Sequence, residues 1–482
     1  MLYFCCMQRK FFALILILVL GSNVHAQKKW NLLQCVEYAR ANNITIKQTD
    51  LQSNIADLQL KQSKMGQWPS LSFSGGPTFN NGRNQDPTSF SLITQSYLSA
   101  SMQLQSSAEI FNWFSKRNTI AANEWELQAT KAATDKLKND IALTVANAYL
   151  QILLAKEQEK IAGVQLQQSQ SQLLNTRKLV NAGALPELNA AELEAQVARD
   201  SSTFISAHGN VEQTFLNLKA YMNIDAAEVF DIETPSADKI PVEKISDLQP
   251  EAVYALAMAN MPQQRVNDFK LKAANKNVAV AKAGMYPTIS VFGSLGSGYS
   301  SRAKQKANSF QYSPILGKVD VGSATYFVYP KDPYTDYTLK KSPFFSQVNE
   351  NFRQTVGLSI NVPIFNGKSL RTAWERSKIT IRSLELQKAI DDQKLKQDIY
   401  QAYNAALVSL EKFNAGKKSI EAAERTYFYA KKRYDVGILT TFELITNQNN
   451  LFRTKLENVL NQYDYIFKMK ELEFYKGQGL KL

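Results

Sequence analysis

Few residues in this 482-residue chain could ligate a transition metal or act as a redox thiol. The two histidines are His25 and His208, and the three cysteines are Cys5, Cys6 and Cys35. Only His208 and Cys35 lie outside the N-terminal segment that we expect to be cleaved. A structural zinc site takes four Cys or His ligands and a redox dithiol takes two cysteines, so these two residues can form neither. We therefore predict no metal and no cofactor.

Motifs and charge argue against two further classes of protein. The chain has no Gly-x-Ser-x-Gly elbow and no Gly-rich phosphate loop, although paired carboxylates leave no sequence signature and keep a secreted enzyme open. The net charge is +13, but Lys and Arg are dispersed and form no dense basic block with interleaved aromatics. We predict that the protein is not an enzyme and binds no nucleic acid.

Residues 1–26 are typical of a secretory signal peptide. Arg9 and Lys10 precede an apolar run, and Val24-His25-Ala26 presents small or apolar residues to a signal peptidase. The apolar run is too short for a permanent membrane helix, and no later segment has about 18 consecutive apolar residues. We predict cleavage before Gln27 and an exported protein.

The remaining chain contains an internal duplication. Trp68–Phe73 recurs as Tyr286–Val291 at an offset of 218, and Ile110–Asn112 recurs as Ile364–Asn366 at an offset of 254. The difference of 36 residues between the offsets predicts an insertion in the second copy. The predicted domains are a first repeat at 27–222, a linker at 223–249 and a second repeat at 250–482.

Each repeat has the pattern of a helix, two strands separated by a loop, a long helix, a tight turn and a last helix. Asn31 and Gln34 predict a capping box at the start of the first helix. This helix should continue to about Gly66.

Long helices are predicted on both sides of the tight turns. Proline is absent from 88 to 185 and from 364 to the end, and the apolar residues follow coiled-coil spacing. A helix over about 113–181 would be on the order of 100 Å long at 1.5 Å per residue. We interpret the Gln- and Ser-rich stretch at 165–172 as a polar helix face exposed to water.

Four segments of about ten residues alternate apolar and polar side chains. The predicted strands cover about 70–80, 97–108, 287–297 and 354–363. Alternation suits a bilayer-crossing strand and a half-buried strand of a soluble sheet, so the pattern alone leaves both open. Four strands cannot close a barrel, and open edges are not tolerated in lipid. Membrane insertion would therefore need several chains, of which two would give eight strands and three would give twelve with room for a passage.

Four motifs, in order, resemble signatures of the TolC-type outer membrane efflux protein family. They are Trp68-Pro69-Ser70-Leu71, Tyr286-Pro287-Thr288-Ile289-Ser290, Asn361-Val362-Pro363-Ile364-Phe365-Asn366-Gly367 and Arg433-Tyr434-Asp435-Val436-Gly437. The resemblance covers nearly all of the mature chain, including the duplication.

This resemblance implies an α+β fold and a homotrimer, with a 12-stranded outer-membrane β-barrel continued by a long periplasmic α-helical barrel. It implies a passive exit duct of a tripartite efflux or secretion system, surrounded by outer membrane lipid. The implied partners are a periplasmic membrane fusion (adaptor) protein and an inner-membrane transporter of the RND or ABC type. The substrate stays open. A type I protein secretion outlet is one alternative, and a non-channel periplasmic coiled-coil scaffold is another.

In the family, the turns at the far ends of the long helices form the periplasmic tip that engages the adaptor. Glycine suits the tight reversal after each long helix, and Pro186 suits the first turn of the returning helix. The resemblance implies adaptor contacts at Gly183, Leu185, Arg433, Tyr434 and Gly437. The alternative is that both glycines are only helix caps.

The resemblance also implies a gate with acidic residues shortly after the second tip glycine. Glu443 occupies the first such position, whereas Thr446 departs from the pattern at the second. Glu192, the first-repeat counterpart of Thr446, and Asn189 complete the predicted gate. Three Glu443 carboxylates in a narrow passage would attract cations and raise their own pKa by mutual repulsion. The alternative for either glutamate is a solvated surface residue.

The insertion at about 298–353 is rich in Tyr, Phe and Pro. Because it connects two predicted barrel strands, we expect a loop outside the cell that partly caps the duct. The alternative is a long ordered surface loop without a role in gating.

Overall fold

The computed structural model describes residues 29–85, 90–237 and 240–477. The predicted signal peptide at 1–26 lies outside these ranges. The chain divides into two compact units. We call the first, with residues up to 58, 124–273 and from 381 onwards, the helical unit, and the second, with residues 59–123 and 274–380, the sheet unit.

Helices make up most of the described chain. They are α1 (Leu32–Asn42), α2 (Ile44–Met65), α3 (Ser115–Asn181), α4 (Glu187–Met222), α5 (Pro250–Asn260), α6 (Pro262–Ala283), α7 (Phe344–Glu350), α8 (Ser369–Asp435) and α9 (Thr441–Tyr475). The predicted long helices are present, since α3 and α8 each have 67 residues. The capping box of α1 also forms: the Gln34 N–H donates to Asn31 Oδ1 at 2.9 Å, and the Asn31 N–H donates to Gln34 Oε1 at 3.2 Å. Within the described ranges, no helix is at once long enough and apolar enough to cross a membrane.

The first helix does not run unbroken to Gly66, so that prediction was wrong. Asn43 separates α1 from α2, and its Oδ1 accepts hydrogen bonds from the N–H groups of Thr45 at 2.9 Å and Ile46 at 3.3 Å. An asparagine that satisfies the free N–H groups of a first turn starts a new helix. In the second repeat Pro262 makes the equivalent break between α5 and α6.

Strands lie only in the sheet unit, among the residues described. They are β1 (Ser70–Gln85), β2 (Leu92–Phe111), β3 (Thr288–Ser300), β4 (Lys304–Tyr312), β5 (Gly317–Val321), β6 (Ala324–Val328), β7 (Tyr334–Lys341) and β8 (Arg353–Asn361). The four predicted strands form one antiparallel sheet in the order β1-β2-β3-β8. The first hairpin is longer than predicted, because its ladder continues to the pair Gln85 and Leu92.

The insertion between β3 and β8 is folded, and whether it caps a duct stays a prediction. Strand β4 pairs with β7 and β5 pairs with β6, both antiparallel, and α7 precedes β8. Its Tyr, Phe, Val and Thr residues favour extended backbone, as in the β6 sequence ATYFV. The high Tyr and Phe content of the insertion is therefore explained by the preference of these residues for strands.

The helical unit has two hydrophobic cores that are copies of each other. The buried counterparts are Cys35 and Val253, Ala39 and Ala257, Val145 and Ile399, Ala148 and Ala402, and Leu218 and Leu472. The first two pairs have the offset of 218 and the others have the offset of 254. The duplication therefore extends from the sequence to the packing of each repeat.

The segment between the repeats packs on these cores. Ile232 and Leu248 are fully buried, and the Tyr149 hydroxyl donates to the Glu233 carbonyl oxygen at 2.5 Å. Lys156 forms an ion pair with Asp231 at 3.1 Å. The predicted linker at 223–249 is thus attached to the helical unit rather than a free connection.

Candidate functional site

The two helix reversals of the helical unit have the same backbone geometry. Gly183 and Gly437 have φ angles of +72° and +77°, in the left-handed region that favours glycine. The Gly183 N–H donates to the Val180 carbonyl and the Ala184 N–H to the Leu179 carbonyl, both at 2.9 Å. Gly437 and the residue after it repeat this pair of bonds at 2.9 Å. Both reversals are therefore Schellman-type helix ends, as glycine at these positions predicts.

The returning helices start differently in the two repeats. Pro186 caps α4 without a side-chain hydrogen bond, whereas Thr440 caps α9 through a complete capping box. The Glu443 N–H donates to Thr440 Oγ1 at 3.2 Å, and the Thr440 N–H donates to Glu443 Oε2 at 3.0 Å. Glu443, predicted as a gate residue, therefore has a local structural role. The spacing Thr-x-x-Glu is visible in the sequence and could have revealed it.

This capping box also stabilises the ionised form of Glu443 in the protomer. The backbone N–H of Thr440, then the Thr440 hydroxyl, hold the pKa of the Glu443 carboxyl below its ordinary value, and the Arg433 charge acts in the same direction. The predicted rise of this pKa comes from repulsion between neighbouring copies. Three carboxylates brought together would have to overcome the effect of the cap.

Tyr434, predicted to contact an adaptor, links three helices beside the second reversal. Its hydroxyl lies 3.2 Å from Thr176 Oγ1 on α3 and 3.4 Å from Thr441 Oγ1 on α9. Both threonines are buried. The Tyr434 side chain therefore ties the end of α8 to the two helices that flank it.

A groove of about 980 Å³ lies next to the reversals. Four predicted site residues line it, namely Leu185, Asn189, Tyr434 and Gly437. The structure thus brings together three of the predicted adaptor contacts and one predicted gate residue.

The other predicted site residues do not line this groove. Gly183, Arg433, Glu443 and Thr446 are exposed, and Glu192 is half-buried on α4. The Thr446 hydroxyl donates to its own helix, at the Phe442 carbonyl 2.8 Å away. No hydrogen bond joins Glu192, Thr446 and Glu443 to one another among the described side chains.

A buried polar network joins α3, α4 and α9 beyond the groove, and the sequence analysis missed it. Ser169 hydrogen-bonds to Asp200, and Gln196 Nε2 donates to Asp200 Oδ1 at 2.8 Å and to Asn449 Oδ1 at 2.9 Å. Gln448 Nε2 donates to Ser169 Oγ at 3.3 Å. The interpretation of 165–172 as a polar helix face exposed to water is correct only in part, because Gln165 and Ser169 are buried in the seam between the helices.

In the sheet unit, register separates an apolar face from a polar one, because directly opposed residues share a face. The apolar face contains Leu71, Phe73, Phe79, Leu98, Met102, Leu104, Val291, Leu295, Val356, Leu358 and Ile360. The polar face contains Ser72, Ser74, Ser101, Gln103, Gln105, Ser294, Thr355 and Ser359. Phe79 is 70% exposed and Val356 is 84% exposed, so this part of the apolar face is uncovered among the described residues, whereas Tyr299 at the end of β3 contacts Phe344 of α7 at 5.3 Å between rings.

Both ends of this sheet are edge strands. Within the described ranges β1 pairs only with β2, and β8 pairs only with β3. Aromatic residues cluster where the strands meet the helices: the rings of Phe111 and Trp113 are 5.3 Å apart, and those of Trp113 and Tyr286 are 4.8 Å apart. Such a belt below an apolar band is typical of a β-barrel at a membrane interface.

Cys35 and His208, the described Cys and His residues, have environments that suit structural roles. Cys35 is fully buried, and burial raises the pKa of its thiol to about 12. The His208 ring nitrogen Nδ1 lies 2.7 Å from Glu159 Oε1 on the helix surface. No cluster of three or more metal-ligating side chains occurs in the described part of the chain.

Comparison with known proteins agrees with this arrangement. The chain is 20% identical over 456 residues to the outer membrane protein TolC of Escherichia coli, covering 93% of this chain and 82% of TolC. It is 21% identical over 457 residues to the toluene efflux pump outer membrane protein TtgC of Pseudomonas putida, with the same coverage. Its fold matches the crystal structure of CusC, described as forming a transmembrane channel, with a TM-score of 0.74 at 16% identity over 95% of this chain and 96% of CusC.

The family assignment rests on both repeats. The sequence profile described as "Outer membrane efflux protein" matches residues 35–223 and 253–478. These ranges include both helix reversals and all four strands of the antiparallel sheet. The chain therefore belongs to the outer membrane efflux protein family and is an outer membrane efflux channel.

Proposed function

We propose that three copies of the chain join their sheets edge to edge into a 12-stranded barrel in the outer membrane. The proposal rests on the sheet, which among the described residues has two unpaired edges and an apolar face that is largely exposed. In lipid every backbone polar group needs a partner, so β1 of one copy must pair with β8 of the next. Three four-stranded sheets give twelve strands, and a barrel of that size has room for a passage.

The oligomeric state tests this proposal. Detergent-purified protein should have the mass of a trimer by light scattering. Cysteines introduced at Ser72 in β1 and Ser359 in β8 should give covalent dimers and trimers, and no larger species, with a bifunctional maleimide. Cys35 is buried and should not react. A monomer that stays soluble without detergent would refute the barrel.

The polar face of the sheet would then line the lumen with serine, threonine and glutamine. The long helices α3, α4, α8 and α9 of three copies would supply the twelve helices of a periplasmic α-barrel. The duct would be passive, and the proposal assigns no catalytic step to the chain. A non-channel scaffold would not account for the apolar sheet face.

We place the partners at the helix reversals. The groove lined by Leu185, Tyr434 and Gly437, with Arg433 and Gly183 beside it, would dock the periplasmic adaptor, which connects to an inner-membrane transporter of the RND or ABC type. Two similar reversals per copy would offer six docking positions in a trimer. Arg433→Ala should weaken co-purification with the adaptor, whereas an unchanged yield of the complex would argue against this placement.

The gate proposal for Glu443 can be separated from its role as a cap. Glu443→Gln keeps the capping box, since glutamine also serves at this position, but removes the charge. Glu443→Ala removes both. If three Glu443 carboxylates attract cations at a constriction, cation selectivity in a planar bilayer should fall to a similar extent in both variants.

A change confined to Glu443→Ala would assign Glu443 to the cap alone. Thr446→Ala is the matched control, because this neighbouring exposed side chain bonds only to its own helix. Its ion selectivity should equal that of the unmodified channel.

A further inference from the structure

One buried side chain fixes the base of the insertion against the sheet. Gln347 of α7 is 2% exposed. Its Nε2 donates to the carbonyl oxygens of Ser300 at 3.0 Å and Ser342 at 2.9 Å, and its Oε1 accepts from the Ser300 N–H at 2.8 Å. The Ser342 N–H also donates to the Ala303 carbonyl at 3.0 Å. The points where the chain leaves β3 and returns toward β8 are therefore held together.

Three cations stand at this fixed base. Lys304 of β4 lies directly opposite Lys341 of β7, and the Arg302 guanidinium donates to the Ser96 carbonyl oxygen of β2 at 3.2 and 3.3 Å. All three side chains are exposed. None of them forms an ion pair with a carboxylate of the described chain. Like charges directly opposed on a strand pair destabilise it, so this pair favours a bound anion.

The position of Ser96 along β2 shows where these cations lie relative to the apolar residues of the sheet. Along the apolar face the pair Phe79 and Leu98 is followed by the polar pair Asn81 and Ser96. From Leu71 to Phe79 the strand runs about 27 Å, which at the usual tilt spans roughly the apolar band of an outer-membrane barrel. Arg302 therefore contacts β2 just beyond that band, at the end of the sheet remote from the long helices.

We infer that Arg302, Lys304 and Lys341 bind the phosphate of a lipid headgroup in the outer leaflet. The inference rests on the proposed barrel, which places this end of the sheet outside the cell. Arg302 Nε and Nη2 donate to the Ser96 carbonyl oxygen, which leaves Nη1 to donate to a phosphate oxygen, and the two lysines contribute charge. A phosphate between Lys304 and Lys341 would also relieve their repulsion. Gln347 holds the backbone from which these side chains project.

Lipid retention tests the inference on the full mature trimer. The protein is reconstituted in phosphatidylcholine nanodiscs containing either bisphosphorylated lipid A or its dephosphorylated form, then transferred to detergent, and retained lipid is counted by native mass spectrometry. We expect retention of the phosphorylated form only. Arg302→Gln with Lys304→Gln and Lys341→Gln should weaken it on the order of a hundredfold. The charge-conserving Arg302→Lys, Lys304→Arg, Lys341→Arg protein should keep it.

The control removes three exposed lysines of α8, by Lys394→Gln, Lys412→Gln and Lys418→Gln, and should retain lipid normally. Equal retention of both lipid forms by the unmodified protein, or normal retention by the triple glutamine variant, would overturn the inference. Displacement of the lipid by millimolar inorganic phosphate would assign the cations to a general phosphate site instead. A changed ion selectivity with unchanged retention would place them on the lumen and also overturn it. The mass of the unmodified protein in detergent is measured in parallel, because a monomer would refute the barrel itself.

Discussion

Glu473→Ala should lower the free energy of unfolding of the channel by about 3–5 kcal/mol, the usual effect of removing one partner of a buried ion pair. Glu473 Oε2 accepts from Lys470 Nζ at 2.8 Å, and the Lys470 and Glu473 side chains are 4% and 3% exposed. Glu473 Oε1 accepts from the Glu243 N–H at 2.9 Å. The substitution therefore removes the ion pair between Glu473 and Lys470 and also one attachment between α9 and the segment joining the repeats. Thermal unfolding in detergent, followed by helical circular dichroism, measures the loss.

The same helix carries a matched control for this prediction. Lys468 and Glu471 have the same spacing at 3.2 Å, but their side chains are 28% and 29% exposed. Glu471→Ala should change stability by no more than about 1 kcal/mol, because water screens exposed pairs. Replacing both buried partners, by Lys470→Met with Glu473→Leu, should recover most of the loss. Equal melting temperatures for Glu473→Ala and Glu471→Ala would show that the buried ion pair contributes no more to the stability than the exposed pair does.

The sequence predicted the repeated features of the fold well, since two copies of a pattern confirm each other. The offset of 254 that relates Gly183 to Gly437 also relates Val145 to Ile399 in the cores. It even relates the left-handed pair Trp113 and Phe114 to Gly367 and Lys368, at the two strand-to-helix connections. Because the backbone repeats this geometry with different side chains, the duplicated fold requires it.

Features present in only one copy were less predictable. The insertion has no counterpart in the first repeat, so its strands had no second example to support them. Ser169 looks like a surface residue in sequence, and only its partners Asp200 and Gln448 on other helices explain its burial. The spacing of Thr440 and Glu443 allows their capping box to be predicted from sequence. The proposed contact between the Glu443 side chains of three copies depends on how the copies assemble, and a single sequence does not specify that.

Gly75→Val should impair assembly of the barrel, with a cost of about 1–3 kcal/mol per protomer, typical of overpacking. A Cβ atom at Gly75 of β1 would lie 2.6 Å from the Ser101 carbonyl oxygen and 3.2 Å from Met102 Cα, both in the backbone of β2. Backbone cannot rotate away as a side chain can, so β1 must shift from its partner. Because β1 is also the edge proposed to pair with the next copy, the shift should reduce both folding and trimer formation. The yield of detergent-purified trimer and its urea midpoint measure these effects.

Gly76 is the control for this substitution, because it is the next residue on the same strand and a Cβ atom there would meet nothing within 4 Å. Valine favours extended backbone equally at both positions, so strand propensity cancels in the comparison. Gly76→Val should assemble as well as the unmodified chain or better, whereas Gly75→Val should not. If both variants assembled normally, the close approach of β1 and β2 at Gly75 would not limit the barrel. If neither variant assembled, a side chain at Gly76 would also be excluded. The polar face at Gly76 would then be closely packed in the assembled trimer.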